Sequence, residues 1–295
     1  MTKRITTMVI ITVTSLLLAM GGTVAQGAIV LPRTNPEYFT IAVLPDTQWY
    51  SKYWPEIFRE QTQWIANNEG TENIRFVIHV GDVVQNSEDL AQWDNARGAM
   101  DILGDIPYLV VGGNHDGLCG TGGACNFDNF RQYFGEPSSH TLFSVGYRHF
   151  VVVGMEWYEA RYPDPLYTQI TEWLNAYPER EAIFVTHAFA NLDGGWTGTP
   201  GGYSQWLAIA DAPNLFMALW GHYRGAYYDS IQGTQGNTVH RLLADYQCNP
   251  NGGNGWMRLL RFYPDGSIWV LTYSPWLDTY RAEQSSAFKI FPDEG

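Results

Sequence analysis

The chain has 295 residues, 45% of them apolar and 15% aromatic, enough to close a buried core in one large domain or two small ones. Its 30 acidic and 17 basic side chains give a formal charge of −13, a surface that repels polyanions and weighs against nonspecific binding of nucleic acid. A small anion drawn to a local cationic centre is not excluded by that field.

Met1 to Ala28 reads as a secretory signal: Lys3 and Arg4, an apolar run from Met8 to Met20, then small residues. Thr23-Val24-Ala25 or Ala25-Gln26-Gly27 would be the cleavage site, and removal of the segment would take the formal charge from −13 to −15. The apolar run is shorter than the roughly 20 residues a membrane span needs, so an uncleaved anchor is the lesser alternative and no stable span is expected. The expected location is secreted or periplasmic. Residues 36–295 show no linker and no internal repeat, and read as a single domain.

Strands are predicted at Phe39 to Leu44, Ile74 to Val80 and Tyr108 to Val111. Between them, Tyr53 to Asn68 carries Trp54, Ile57, Phe58, Trp64 and Ile65 at helical spacing, and Leu90 to Leu103 does so more weakly. Strand, helix, strand, helix, strand is the βαβαβ order of a parallel sheet covered on both faces. From His140 the pattern changes. A hairpin is predicted over His140 to Val145 and His149 to Val153, turning at Gly146-Tyr147, followed by strands at Ala182 to Val185 and Leu215 to Trp220. Short strands at Val239 to Ala244, Trp256 to Phe262 and Ile268 to Tyr273 come last, with Pro264-Asp265-Gly266 as a turn. The expected fold class is α/β, with two packed mixed β-sheets flanked by helices. The glycine-rich stretch Phe189 to Tyr203 reads as a long loop, a wall or lid over whatever site lies beside it.

Cys119 and Cys125 flank a glycine-rich insert that would close a small disulfide loop, a bond that persists outside the cytosol and leaves Cys248 over. The alternatives are that Cys248 pairs with one of them, or that all three are free thiols.

Five short segments each follow a predicted strand: Pro45-Asp46-Thr47-Gln48, Gly81-Asp82-Val83-Val84-Gln85, Gly113-Asn114-His115-Asp116, Thr186-His187 and Gly221-His222. At the carboxyl ends of neighbouring strands of an α/β sheet such residues share one crevice however far apart they lie in sequence. The order and content of the segments resemble the calcineurin-like metallophosphoesterase superfamily, which includes the purple acid phosphatases, over Phe39 to Arg224. A lone Gly-Asp or Gly-His carries little weight; Gly-Asn-His-Asp as the third of five ordered segments carries much. The resemblance also implies the αββα sandwich architecture, built on a βαβαβ metal-binding core.

What the resemblance implies is two divalent metal ions, manganese, iron or zinc, and a small phosphorylated substrate. Asp82 would bridge the ions, since a carboxylate can offer one oxygen to each. Asp82, Asn114, His187 and His222 make one complete set of nitrogen and oxygen donors. The other set departs from the family, which has histidine two residues after the first aspartate and again two after the histidine of Gly-His; this chain has Gln48 and Arg224. On an extended segment Gln48 would point the same way as Asp46 and offer an amide oxygen, whereas Arg224 has no acceptor atom and cannot ligate. Asp46, Gln48, Asp82 and water would then form an oxygen-only site suited to Mn²⁺ or Mg²⁺, and weaker. Arg224 would instead grip phosphate oxygens in a fork, or make a surface salt bridge.

His115 is the candidate general acid, a role worth typically about 10²–10⁴-fold, with either Asp116 or Gln85 fixing its tautomer. The implied reaction is hydrolysis of a phosphomonoester or phosphodiester by a metal-bound hydroxide, in line and without a covalent phospho-enzyme. The competing reading is a binding protein on the same scaffold, catalytically weakened, that recognises phosphate or glycan. A nuclease is disfavoured by acidity and the lack of Lys/Arg clusters. His79, His140, His149 and His240 are expected to be structural. Asp245-Tyr246-Gln247 and Thr272-Tyr273-Ser274-Pro275 end late strands, where approach to the crevice and a plain turn are equally readable. Trp49, Tyr50, Trp196 and Tyr203 are candidates for stacking on an organic substrate group.

Overall fold

The structure, a computed structural model, describes residues 37–119, 125–198 and 201–291. The segment read as a secretory signal lies outside the described residues. In chain order the first elements are β1 (Phe39–Leu44), α1 (Gln48–Tyr53), α2 (Pro55–Asn67), β2 (Ile74–His79), α3 (Leu90–Met100) and β3 (Tyr108–Val110). A small ribbon, β4 (Leu118–Cys119) with β5 (Cys125–Asn126), precedes α4 (Asp128–Phe134). The middle of the chain forms β6 (Ser139–Val145), β7 (Arg148–Met155), α5 (Pro165–Asn175), β8 (Glu181–Thr186), α6 (Gly202–Ile209) and β9 (Leu215–Trp220). It ends with β10 (Gly225–Gln232), β11 (Thr238–Asp245), α7 (Pro250–Gly253), β12 (Met257–Phe262), β13 (Ile268–Ser274), β14 (Thr279–Tyr280) and β15 (Ala287–Ile290).

Two sheets result. The first runs β14-β13-β12-β1-β2-β3 with β15 beside β13, and its β1, β2 and β3 are parallel. The second runs β10-β11-β9-β8-β7-β6, with β7, β8, β9 and β11 parallel between antiparallel edges. The continuous apolar run of β1, all six residues buried, is what a parallel strand covered on both faces requires. Side chains alternate across it: Phe39, Ile41 and Val43 face the space between the sheets, whereas Ala42 and Leu44 face the helical layer. In β8 the same alternation sends Ile183 and Val185 inward and Ala182 and Phe184 outward. Ile57, Phe58 and Ile65 of α2, with Trp93 of α3 and Phe130 of α4, cover the first sheet; Tyr167, Ile170 and Leu174 of α5, with Ile209 of α6, cover the second. The order is helix, sheet, sheet, helix.

Local sequence sets several helix starts. Pro55 opens α2 with a preset φ, and Pro165 opens α5 behind an Asp164 cap that accepts from Leu166 N–H at 3.1 Å. The helix expected from Tyr53 instead begins at Gln48 and is broken at Trp54, where φ −138° and ψ 57° interrupt it. The described part of the stretch read as a long loop holds regular contacts: Ala190 bridges Trp196, and α6 starts at Gly202. Trp196 lies against Phe189 and Trp206, with the Arg241 guanidinium over its ring. Cys119 and Cys125 form a disulfide, and Cys248 is an exposed free thiol. Among the described residues no helix is long and apolar enough to cross a membrane.

Phe150 sits at the centre of the inter-sheet layer, fully buried, with Phe39, Phe143, Phe216 and Phe262 rings around it. Phe150→Ala is expected to cost about 3–5 kcal/mol through lost burial and the cavity left behind. Urea denaturation checks this; a loss under about 1 kcal/mol would mean that the layer recloses around the gap.

Candidate metal centre

The tips of β1, β2, β3, β8 and β9 bring the five segments together. Two tips need backbone that side chains rarely permit: Asp82 has φ 52° and His222 φ 67°, left-handed values that concentrate at sites where geometry is over-determined by the surroundings. The neighbouring glycines are required by close approach. A Cβ on Gly113 would lie 2.3 Å from both the nitrogen and Oδ1 of Asp82, and one on Gly221 would lie 2.2 Å from Asp46 Oδ1. Each Gly-containing motif is therefore a contact between two strand tips.

Asp82, His187 and His222 present ligand atoms that all lie within 4.8 Å of one another. His187 Nδ1 donates to the Val80 carbonyl at 2.9 Å, so its Nε2 is the nitrogen that faces Asp82 Oδ2 and His222 Nδ1, each 3.2 Å away. Asp82 Oδ1 accepts from His115 N–H at 2.9 Å. Asn114 Oδ1 is buried and has no hydrogen-bond partner, an arrangement costly unless something absent from the protein alone meets that oxygen. One carboxylate, one orphaned amide oxygen and two imidazoles fit a divalent transition-metal ion.

The second half of the site departs from what the sequence suggested. Gln48 is not on an extended segment; it begins α1, whose first turn closes when Ser51 N–H donates to the Thr47 carbonyl at 3.0 Å. Its side chain nevertheless enters the site, donating from Nε2 to Asp82 Oδ2 at 3.3 Å and to Gln247 Oε1 at 2.7 Å, while its own Oε1 is buried without a partner. Asp46 accepts from His222 N–H at 3.2 Å and from Gln247 Nε2 at 3.1 Å. Asp245 and Gln247 thus reach the crevice. The strand-tip rule extends to them because β11 lies parallel to β9, Leu243 opposite Trp220.

The electrostatics are those of a site lacking positive charge. Burial, and then Asp245 beside it, pushes the Asp46 carboxyl well above its usual range, and burial also raises Asp245. Burial would raise Asp82 too, but His187 and hydrogen bonds from His187 and His115 outweigh it and hold Asp82 low. Burial works against protonated His187, yet Asp82 and Asp46 push it up to about 10; burial and His187 together push His222 down to about 4. Among the described residues, none of the three carboxylates pairs with lysine or arginine. Burying uncompensated charge is expensive, and cations are the remaining compensation.

His115 offers its Nδ1 edge to Gln85, 3.0 Å from both its backbone carbonyl and its side-chain nitrogen. Gln85, of the two candidates, is the residue against the ring. Asp116 is fully buried and clamps backbone, accepting from Val84 N–H at 3.0 Å and Gly113 N–H at 2.8 Å; burial and then Asp82 raise it to about 7. His79 accepts from Gly81 N–H at Nδ1 and meets the Thr47 hydroxyl at 2.9 Å through Nε2, and burial and His187 hold it neutral, down to about 3. Arg224 is exposed, and its charge is felt at His222.

Of the proposed aromatic platforms, Tyr50 is buried, its hydroxyl accepting from Gly255 N–H at 2.9 Å, and cannot stack on a ligand. Trp49 donates to Gln247 Oε1 at 3.0 Å at the rim and stacks on Tyr53. Trp196 and Tyr203 adjoin each other. Trp157, not singled out by any sequence motif, lies against the rings of both His187 and His222.

The calcineurin-like phosphoesterase family model matches residues 39–266. A protein of Bacillus subtilis (strain 168), the uncharacterized protein YvnB, is 33% identical over 264 residues, 82% of this chain and 20% of that protein, so the chain spans about a fifth of this relative's length. Purple acid phosphatase PPD1 from yellow lupin (Lupinus luteus) seeds superposes with a TM-score of 0.63 at 14% identity, over 87% of this chain and 54% of that one. A dimetal phosphatase from Danio rerio superposes with 0.55 at 11% identity, over 86% and 98%. GAP50, described as the anchor in the inner membrane complex of Plasmodium, superposes with 0.52 at 15% identity, over 86% and 90%. At these identities the structures share a fold, and a fold alone does not decide chemistry.

Proposed function

The chain belongs to the calcineurin-like phosphoesterase family, whose members are dinuclear-metal phosphoesterases, and on that premise we propose that this metal-dependent phosphoesterase is exported and cleaves small phosphomonoesters or phosphodiesters. The observation that carries the reading is the meeting of Asp82, His187 and His222 within 4.8 Å of one another, and the buried Asn114 oxygen, left without a partner, supports it as the fourth ligand. Asp46 and Gln48 adjoin Asp82 and would hold the second ion with it. Bound cations supply the charge that offsets phosphoryl oxygens and acidifies water.

The protein's own groups do the rest. Asp82 is fixed through both oxygens by His115 N–H and Gln48 Nε2, so the two halves of the site keep one spacing. Val80 holds the Nδ1 edge of His187, so Nε2 is the nitrogen turned to the site, where a bound cation would take the place of its proton. Gln85 occupies the Nδ1 edge of His115 and leaves Nε2 as the nitrogen that passes a proton to a departing alkoxide. Arg224, exposed beside His222, would grip phosphoryl oxygens in a fork. Export is supported by the Met1 to Ala28 pattern and is checked by N-terminal sequencing of the mature protein.

Chelation should abolish hydrolysis of p-nitrophenyl and bis-p-nitrophenyl phosphate, and single-metal add-back with elemental analysis should restore it. Two bound ions with neither ester hydrolysed would favour instead a phosphate- or glycan-recognising protein on the same scaffold.

A further inference from the structure

Neither the family pattern nor the five motif segments assign a role to the end of β11. We propose that Asp245 and Gln247 are ligands of the second cation, replacing the two histidines whose positions are taken by Gln48 and Arg224; the proposal rests on the dinuclear reading above. Gln247 Nε2 donates to Asp46 Oδ2 at 3.1 Å and to Asp245 Oδ2 at 2.9 Å, while Gln247 Oε1 accepts from Gln48 Nε2 at 2.7 Å and Trp49 Nε1 at 3.0 Å. Two amide nitrogens are therefore interleaved among three buried carboxylates, Asp46, Asp82 and Asp245.

An amide N–H₂ between carboxylates stands where a cation would stand. The two ends of a carboxamide are close in shape: Gln48 turned end for end presents oxygen instead, while Gln247, held in place by the Trp49 N–H, already offers Oε1 on the side that the Gln48 N–H₂ occupies. Gln48 adds an independent sign: it is 3% exposed, its nitrogen is held within the cluster, and its Oε1 has no partner. A tip that merely closed a turn would not need a carboxylate buried to 1% exposure beside two others without a basic partner. The resulting donor set is all oxygen, the chemistry of a hard divalent ion such as Mn²⁺.

The test is equilibrium Mn²⁺ titration of the chelated full-length chain, followed by electron paramagnetic resonance of free Mn²⁺ with elemental analysis. Wild type should take two ions. Asp245→Asn and Gln247→Ala should each keep the ion of Asp82, Asn114, His187 and His222 and bind the other about 10–100-fold more weakly, or not at all. Gln247→Glu, which adds a carboxylate to the same position, should tighten that ion about tenfold, since ligand charge sets affinity at oxygen sites. Circular dichroism melts in chelator report whether each variant folds; should the first two fail to fold, the glutamate variant decides alone. Two ions at unchanged affinity in the folded variants overturn this proposal and leave the dinuclear reading intact. A wild-type chain that takes up one ion overturns both.

Discussion

Asp82→Asn is expected to drive metal content below one ion per chain and to lower kcat/KM at least about a thousandfold, equivalent to roughly 4 kcal/mol of transition-state stabilisation. The substitution is almost isosteric, so packing is not what it changes. Asp82 is buried, with Oδ1 accepting from His115 N–H and Oδ2 facing Gln48 Nε2 and His187 Nε2. An amide must put its N–H₂ toward one of those sides and set donor against donor, leaving buried groups unpaired. It also removes the carboxylate whose Oδ2 stands between His187 of one half of the site and Gln48 of the other. Elemental analysis and ester hydrolysis measured on the same folded sample check the result. Two ions retained with activity within tenfold of wild type would show that Asp82 is not the shared ligand.

Why Asp82 was legible in the sequence, and Gln247 only half so, has a physical basis. A parallel strand buried on both faces is a near-continuous apolar run, and β1, β2, β8 and β9 show it apart from Arg75 and His79 in β2 and Glu181 at the start of β8, so their carboxyl ends could be located to within a residue or two. Gly-Asp, Gly-Asn-His-Asp and Gly-His stand at those ends because strand tips approach so closely that a Cβ on Gly113 or Gly221 has no room. Local pattern carries that much. The path of Gln48 was misjudged because two residues after a strand give no signal of whether the chain stays extended or turns, and here Ser51 N–H closes a helical turn onto Thr47. Strand β10 was missed because Gly225–Gln232 is an edge strand, half-buried nearly throughout, without the alternation that marks one wet and one dry face. The stretch around Trp196 looked like a loop because what orders it is the packing of Trp196 on Phe189, Trp206 and the distant Arg241, side-chain contacts that leave no periodic pattern in a glycine-rich sequence. Asp245 and Gln247 needed knowledge of which strand lies beside β9, which is a matter of topology rather than composition.

His115→Gln is expected to leave both metal ions in place and to lower kcat by about 10²–10⁴-fold for an alkyl phosphate, with a much smaller loss for p-nitrophenyl phosphate. The asymmetry follows from what His115 touches. Its backbone N–H orders Asp82 Oδ1, and that bond survives any side-chain substitution. The ring is bound at Nδ1 by Gln85, so the side chain takes no part in holding Asp82, His187 or His222, and metal content should not move. What glutamine cannot do is supply a proton to the departing oxygen. An alkoxide is too basic to leave unprotonated, whereas p-nitrophenolate leaves without help, so the penalty should grow as the leaving group becomes more basic. A purely structural His115 would instead depress all esters alike, by disturbing Asp82 and the ions together. A steeper dependence of log kcat on leaving-group pKa in the variant, at unchanged metal stoichiometry, is therefore the signature of proton donation. Parallel dependences in variant and wild type would remove His115 from the reaction and leave it as a donor to bound phosphate.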